Sequence, residues 1–206
     1  MCIRDRYISS SEMAKLTTKN ITFIAIMAAL GNILSMITTQ VGAFAPNIPV
    51  GPIQVSLALD ISHLTTFIAA LFGGPAIGGI TGAVGGLVAA FEFGFSKGNL
   101  VTGIGLPLGK ALTGLTAGYL FKKYEVDSFM KASALTVLAY IPEALLTLIL
   151  FRYLLPVVSG LQVGIATLVA IQIIVKAFFE MILLGFLLIS LTRNAGFNET
   201  IKRYFR

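Results

Sequence analysis

Cysteine is almost absent from this sequence. Cys2 stands alone, so no intrachain disulfide can form. His63 is the one histidine, and with a single cysteine that excludes a zinc-type Cys/His cluster. The same scarcity leaves no nucleophile with a matching base and no metal set, so no catalytic apparatus, metal or cofactor is expected. Tryptophan is missing, so aromatic contact to any ligand falls to Phe or Tyr, with Tyr140, Phe178 and Phe179 as candidates. The phosphate-cradling pattern G-x-x-x-x-G-K-[ST] does not occur, so the chain is not expected to hydrolyse ATP itself. Charge is scarce as well. Charged residues make up 12% of the chain, about half the share of a soluble domain.

What is present is apolar. The sequence is 56% hydrophobic, and runs near bilayer-spanning length recur along it. The expectation is an all-α integral membrane protein with six transmembrane helices and no soluble domain. The spans are Ile21–Thr39, Leu57–Phe72, Pro75–Phe95, Leu100–Phe121, Phe129–Phe151 and about Gly164–Leu191. The second is short, and the first turns of the last are assigned to an outer loop. Residues 1–12 read as a non-native leader, because MCIRDR is what a transposon end used in sequencing libraries would encode. The integral membrane domain is therefore taken as residues 13–206.

The net charge of +6 is distributed by topology and points to a lipid bilayer, not to nucleic acid. Lys15 and Lys19 precede the first span, Lys122, Lys123 and Lys131 flank the link between the fourth and fifth, and Arg193, Lys202, Arg203 and Arg206 follow the sixth. Six crossings put all three groups on one side, which the positive-inside rule makes cytoplasmic. The other side keeps only Lys97 and Arg152. Both termini are thus expected in the cytoplasm of a cell-membrane protein.

Glycine spacing predicts close helix packing. Gly74, Gly78, Gly82 and Gly86 recur every fourth residue, as do the pairs Gly105/Gly109 and Gly114/Gly118. Ala25, Ala28 and Ala29 form a smaller patch, read either as internal packing or as a docking surface for a membrane partner. The link Val41–Ser56 holds three prolines and little charge. It is read equally as a flap folded over a pocket or as an extended connector.

Charge within spans is costly and marks cavities or pairs. Asp60 and His63 are expected to cap a short helix at the interface, and Glu92 to reach the headgroups. Lys110, Glu143, Lys176 and Glu180 are too many for one structural pair, and Pro142 frees a backbone carbonyl beside Glu143. Gln172, Lys176 and Glu180 are spaced four apart on one helix face. These residues predict a polar pocket among the last three spans. Its candidate lining is Lys97, Asn99, Lys110, Tyr140, Glu143, Arg152, Gln172, Lys176 and Glu180. Within it, Lys176 is expected to face an anionic group of the ligand, with Glu180 keeping it charged and aimed.

Three stretches are similar to the S components of energy-coupling factor (ECF) transporters. LDISHLTTFIAALFGGPAIGGITGAVGGL (59–87) resembles their second and third helices, LPLGKALTGLTAGYLFKK (106–123) the fourth, and IIVKAFFEMILLGFLL (173–188) the sixth. Ala25-x-x-x-Ala29 resembles the alanine motif by which they meet a transmembrane partner. The resemblance covers nearly the whole chain from Met13. In the sixth helix the family's asparagine falls at Ile173, with Gln172 beside it, and Lys110 stands where arginine is frequent. The resemblance implies a six-helix subunit that captures a vitamin or related micronutrient from outside, working with an ECF transmembrane subunit and two ATPases. The competing reading is a self-contained transporter or channel using the intramembrane Lys and Glu residues. Residues 21–95 and 100–191 show no convincing repeat of the kind common in such carriers.

Overall fold

The computed structural model describes residues 17–42, 47–50, 53–56 and 60–205. The expected leader and Lys15 lie outside them. The first helix, α1 (Thr18–Gly42), carries Ile21, Ile26, Leu30, Ile33 and Ile37 on an exposed lipid-type face. Phe23, Met27 and Ala28 face the core. The link after α1 is described at residues 47–50 and 53–56. It contains an antiparallel hairpin, β1 (Asn47–Val50) and β2 (Ile53–Ser56), in register from Asn47 opposite Ser56 to Val50 opposite Ile53. Strand pairing lets a proline-rich segment satisfy backbone groups that a helix could not.

The next helix, α2 (His63–Gly85), contains a reversal. Gly74 sits at φ 82°, ψ −171°, outside the helical region and reachable at little cost only without a Cβ. In an unbroken helix residues eight apart lie about 12 Å apart. Here a Cβ added to Gly78 would sit 2.6 Å from the Ala70 methyl. The chain therefore folds back at Gly74–Pro75, and α2 is two antiparallel arms. Five helices are long and apolar enough to cross a bilayer when His63–Lys97 is counted once. The fold-back makes the membrane segments six, as the sequence predicts.

The first arm, His63–Gly73, rises only about 16 Å, half of a bilayer's hydrocarbon core. Helix begins at His63, so Asp60–Ser62 precedes it inside the bundle. The depth follows from its neighbours. A Cβ on Gly31, midway along α1, would meet Thr65 Oγ1 and come within 3.7 Å of the Ser62 carbonyl.

The second arm ends at Gly86, and α3 (Leu87–Phe93) continues it after a break. Asn32 of α1 bridges that break. Its Nδ2 donates to Val84 O (2.9 Å), and its Oδ1 accepts from Val88 N (3.0 Å). Those two backbone groups would pair with each other in a continuous helix.

A 3₁₀ turn (Phe95–Lys97) leads to α4 (Leu100–Lys123), capped by the Asn99 side chain on Thr102 N at 3.1 Å. The α2 and α4 glycines then meet. A Cβ on Gly114 would strike the backbone at Gly78, and one on Gly82 the Lys110 carbonyl. Helix α5 (Phe129–Ile149) runs through a π-helical turn (Leu150–Leu154) into α6 (Leu155–Ser159). This span is longer than the expected Phe129–Phe151. Helix α7 (Val163–Arg193) is continuous, so the turns assigned to an outer loop are helical. Strand β2 approaches α7. A short amphipathic α8 (Ala195–Phe205) closes the chain, with Tyr204 Oη donating to Lys19 O at 2.8 Å.

Candidate functional site

Because the first arm of α2 is short, one end of the bundle is not filled by helix. A cavity of about 470 Å³ occupies the space between α3, α4, α5–α6 and α7. Its walls are apolar, with Phe93, Leu106, Leu150, Phe151, Leu155 and Val169 among them. Its polar side is built by Asp60 and His63, Lys110 of α4, Tyr140 and Glu143 of α5, and Lys176 and Glu180 of α7.

The charges interlock around the Asp60–His63 segment. Glu180 Oε1 accepts from the backbone N of Asp60 at 2.8 Å. That bond satisfies a main-chain donor which neither helix nor water could. Asp60 Oδ1 accepts from Ser62 N at 2.9 Å, and Asp60 Oδ2 lies 3.8 Å from Lys110 Nζ. Lys110 also donates to Ser62 Oγ. Glu143 Oε2 accepts from Thr113 Oγ1 at 2.5 Å and sits 3.2 Å from His63 Nε2. Lys176 Nζ is 3.6 Å from Glu180 Oε1.

The two lysines differ in a way that sequence could not reveal. The Lys110 side chain is 3% exposed and engaged by Asp60 and Ser62, so it holds the buried segment in place. That of Lys176 is 31% exposed, at the cavity surface. Among the described residues no three His, Cys, Asp or Glu side chains are placed to hold a metal ion.

Of the sequence candidates, Asn99, Lys110, Tyr140, Glu143, Lys176 and Glu180 line this cavity. Lys97, Arg152 and Gln172 do not. Lys97 borders a smaller recess that shares Phe93, Asn99 and Leu155 with the main one. Arg152 is exposed on the π-helical turn, 5.7 Å from the Tyr153 ring. Gln172 misses the cavity because a four-residue stripe drifts about 40° per step on a helix of 3.6 residues per turn. The face through Glu180 and Lys176 continues at Ile173 and Val169. Phe178 and Phe179 point outward, and Phe93 and Phe151 supply the aromatic walls. Glu92 is half-buried in α3, outside the cavity lining.

Asp60 and His63 are the residues that sequence reasoning misplaced. Asp60 does stand at the start of α2, its Oδ1 accepting from Ser62 N, but both residues also form part of the cavity's polar floor, with His63 buried. The signal was the shortness of the second span, which leaves these groups at mid-depth. Ala28 is likewise internal, fully buried with its Cα 3.6 Å from a Cβ placed on Gly85, whereas Ala25 and Ala29 are exposed.

A comparison with curated proteins finds no match. The family model described as the substrate-specific component of ECF transporters matches residues 19–192. That match covers most of the chain, including every membrane segment and the whole cavity. The chain belongs to the substrate-specific components of ECF transporters.

Proposed function

We propose that this subunit captures a vitamin or related micronutrient carrying an anionic group, that the group is held by Lys176, and that both termini are cytoplasmic. Membership in the family makes the chain a transporter subunit that works with ECF transmembrane and ATPase subunits. The observation that carries the ligand reading is the contrast between the lysines. Lys110 is sealed in a structural pair, while the Lys176 ammonium reaches the cavity and is held only loosely by Glu180. An ammonium at membrane depth needs a carboxylate nearby while the site is empty, and Glu180 supplies it. The apolar walls suit the body of a small organic molecule.

The test is ligand affinity and melting temperature for Lys176→Met, Glu180→Leu and the double variant. A ligand role predicts that Lys176→Met folds normally and loses about 2–5 kcal/mol of binding, because the ligand's anion is left buried and unpaired. A purely structural pair predicts instead that each single variant loses stability and the double regains it. Near-normal affinity in a folded Lys176→Met protein would rule the reading out.

A further inference from the structure

The break between α2 and α3 can be satisfied in two ways. Asn32 of α1 answers it in this structure, donating to Val84 O at 2.9 Å and accepting from Val88 N at 3.0 Å. Val84 and Val88 are one helical step apart, so a continuous helix would pair the same two groups directly. Bridged or closed, neither group lacks a partner, and membrane depth makes that condition strict. Gly86, at the break, lies at φ −91° and ψ −4°, beside the helical region, so closing asks for only a modest rotation. A kink with one solution is fixed, whereas this one joins two satisfied states.

The bridged state has a second support in α4. A Cβ on Gly86 would come within 3.1 Å of Pro107 Cα, and one on Gly94 would strike the backbone of Gly103. Helix α3 is therefore seated at both ends on one turn of α4. Closing the helix lifts α3 from that seat, which is why the bridge wins while Asn32 is in place. The same movement displaces Ala89 and Phe93, which line the main cavity. Phe93 also borders the recess beside Lys97 and Ser159, so it stands where the two spaces adjoin.

We propose that Asn32 latches a two-state hinge at Gly86, and that a ligand enters and leaves the main cavity past Phe93 when the latch is released. Asn32 is outside the cavity lining and acts through α3, as a positioning residue. Both states exist in the empty protein, and their balance sets how often the wall moves. The route past Phe93 rests on the capture reading above, whereas the hinge does not.

The hinge is tested on the full chain in lipid nanodiscs, in a Cys2→Ser background. Spin labels go on Phe91→Cys of α3 and Leu145→Cys of α5, two exposed positions outside the cavity lining. Electron–electron resonance should give two distance populations. Asn32→Ala removes two hydrogen bonds from the bridged state alone, so the minor population should rise about fivefold to a hundredfold relative to the major. Asn32→Ser, with a shorter side chain that keeps one hydroxyl, should shift the balance less in the same direction, and serves if Asn32→Ala does not fold. The route is tested with the molecule that the wild type retains from yeast extract, identified by mass spectrometry. Its loading and its wash-out should both be faster in the Asn32 variant. A residue that merely props the fold would speed wash-out and leave loading unchanged. One distance population that is the same in wild type and variant overturns the hinge. Unchanged loading overturns the route. Retention of nothing overturns the capture reading and the route with it, while the distances still decide the hinge.

Discussion

At the scale of single residues, the site is a set of charges held mainly by partners on other segments of the chain. Asp60 and Lys110 show what such a pair does. Each would be unfavourable alone at this depth, and together they hold the non-helical Asp60–Ser62 backbone against α4. Removing one member leaves the other uncompensated. Asp60→Asn is expected to destabilise the protein by about 3 kcal/mol, in the range for breaking a buried pair. Asp60→Asn with Lys110→Met should recover much of that loss, because the pair's net contribution is far smaller than the penalty of an orphaned charge. Melting temperatures of the two single variants and the double in detergent micelles decide it. Additive losses would mean that the two side chains act independently.

The elements are shaped by breaks more than by helices. Gly74 folds α2 back on itself, and the break at Gly86 turns α3 so that Ala89 and Phe93 reach the cavity. The second break leaves the Val84 carbonyl and the Val88 N–H without each other, and Asn32 answers both. With no water at membrane depth to take over, their loss would be felt directly. Asn32→Leu should lower stability by about 2–4 kcal/mol, from two unpaired backbone groups at about 1–2 kcal/mol each. It should also weaken ligand binding, since α3 loses its fixed angle to α1. A thermal melt beside a binding titration checks both effects. A variant with unchanged melting would show that the helix closes the break by itself.

For the whole molecule, the fold-back at Gly74 makes the membrane segments even in number, and with the one-sided basic residues this supports our proposal that both termini are cytoplasmic. In that arrangement the hairpin that holds Asn47 is on the outer side of the membrane. A cysteine there, Asn47→Cys in a Cys2→Ser background, should react with a membrane-impermeant maleimide on intact cells. Reaction only after permeabilisation would reverse the topology. The exposed pair Ala25 and Ala29 is the surface that we propose meets the transmembrane subunit, because small residues let helices approach closely. Ala25→Trp with Ala29→Trp should abolish uptake by the assembled transporter while the isolated subunit still binds its ligand. Ala28 is excluded from that surface, since its burial against α2 makes it a core residue.

The sequence by itself determined the helical membrane class, the six segments and the packing of glycine stripes. These depend on properties that recur along one chain: apolar length, four-residue spacing and the φ freedom of glycine. It also carried most of the cavity's charges, because Lys110, Glu143, Lys176 and Glu180 are conspicuous wherever they sit in an apolar run. Depth and partnership were decided only by the tertiary structure. Asp60 and His63 look like helix caps alone until the fold brings them to the cavity, and Lys110 has no visible partner in the sequence until Asp60 and Ser62 are found beside it. Gln172 looks equivalent to Lys176 until helical drift turns it off the cavity face. For Asp60, His63 and Lys110 the deciding quantity is a distance between residues remote in sequence, which no periodicity within one segment encodes, whereas for Gln172 it is the mismatch between a four-residue stripe and 3.6 residues per turn.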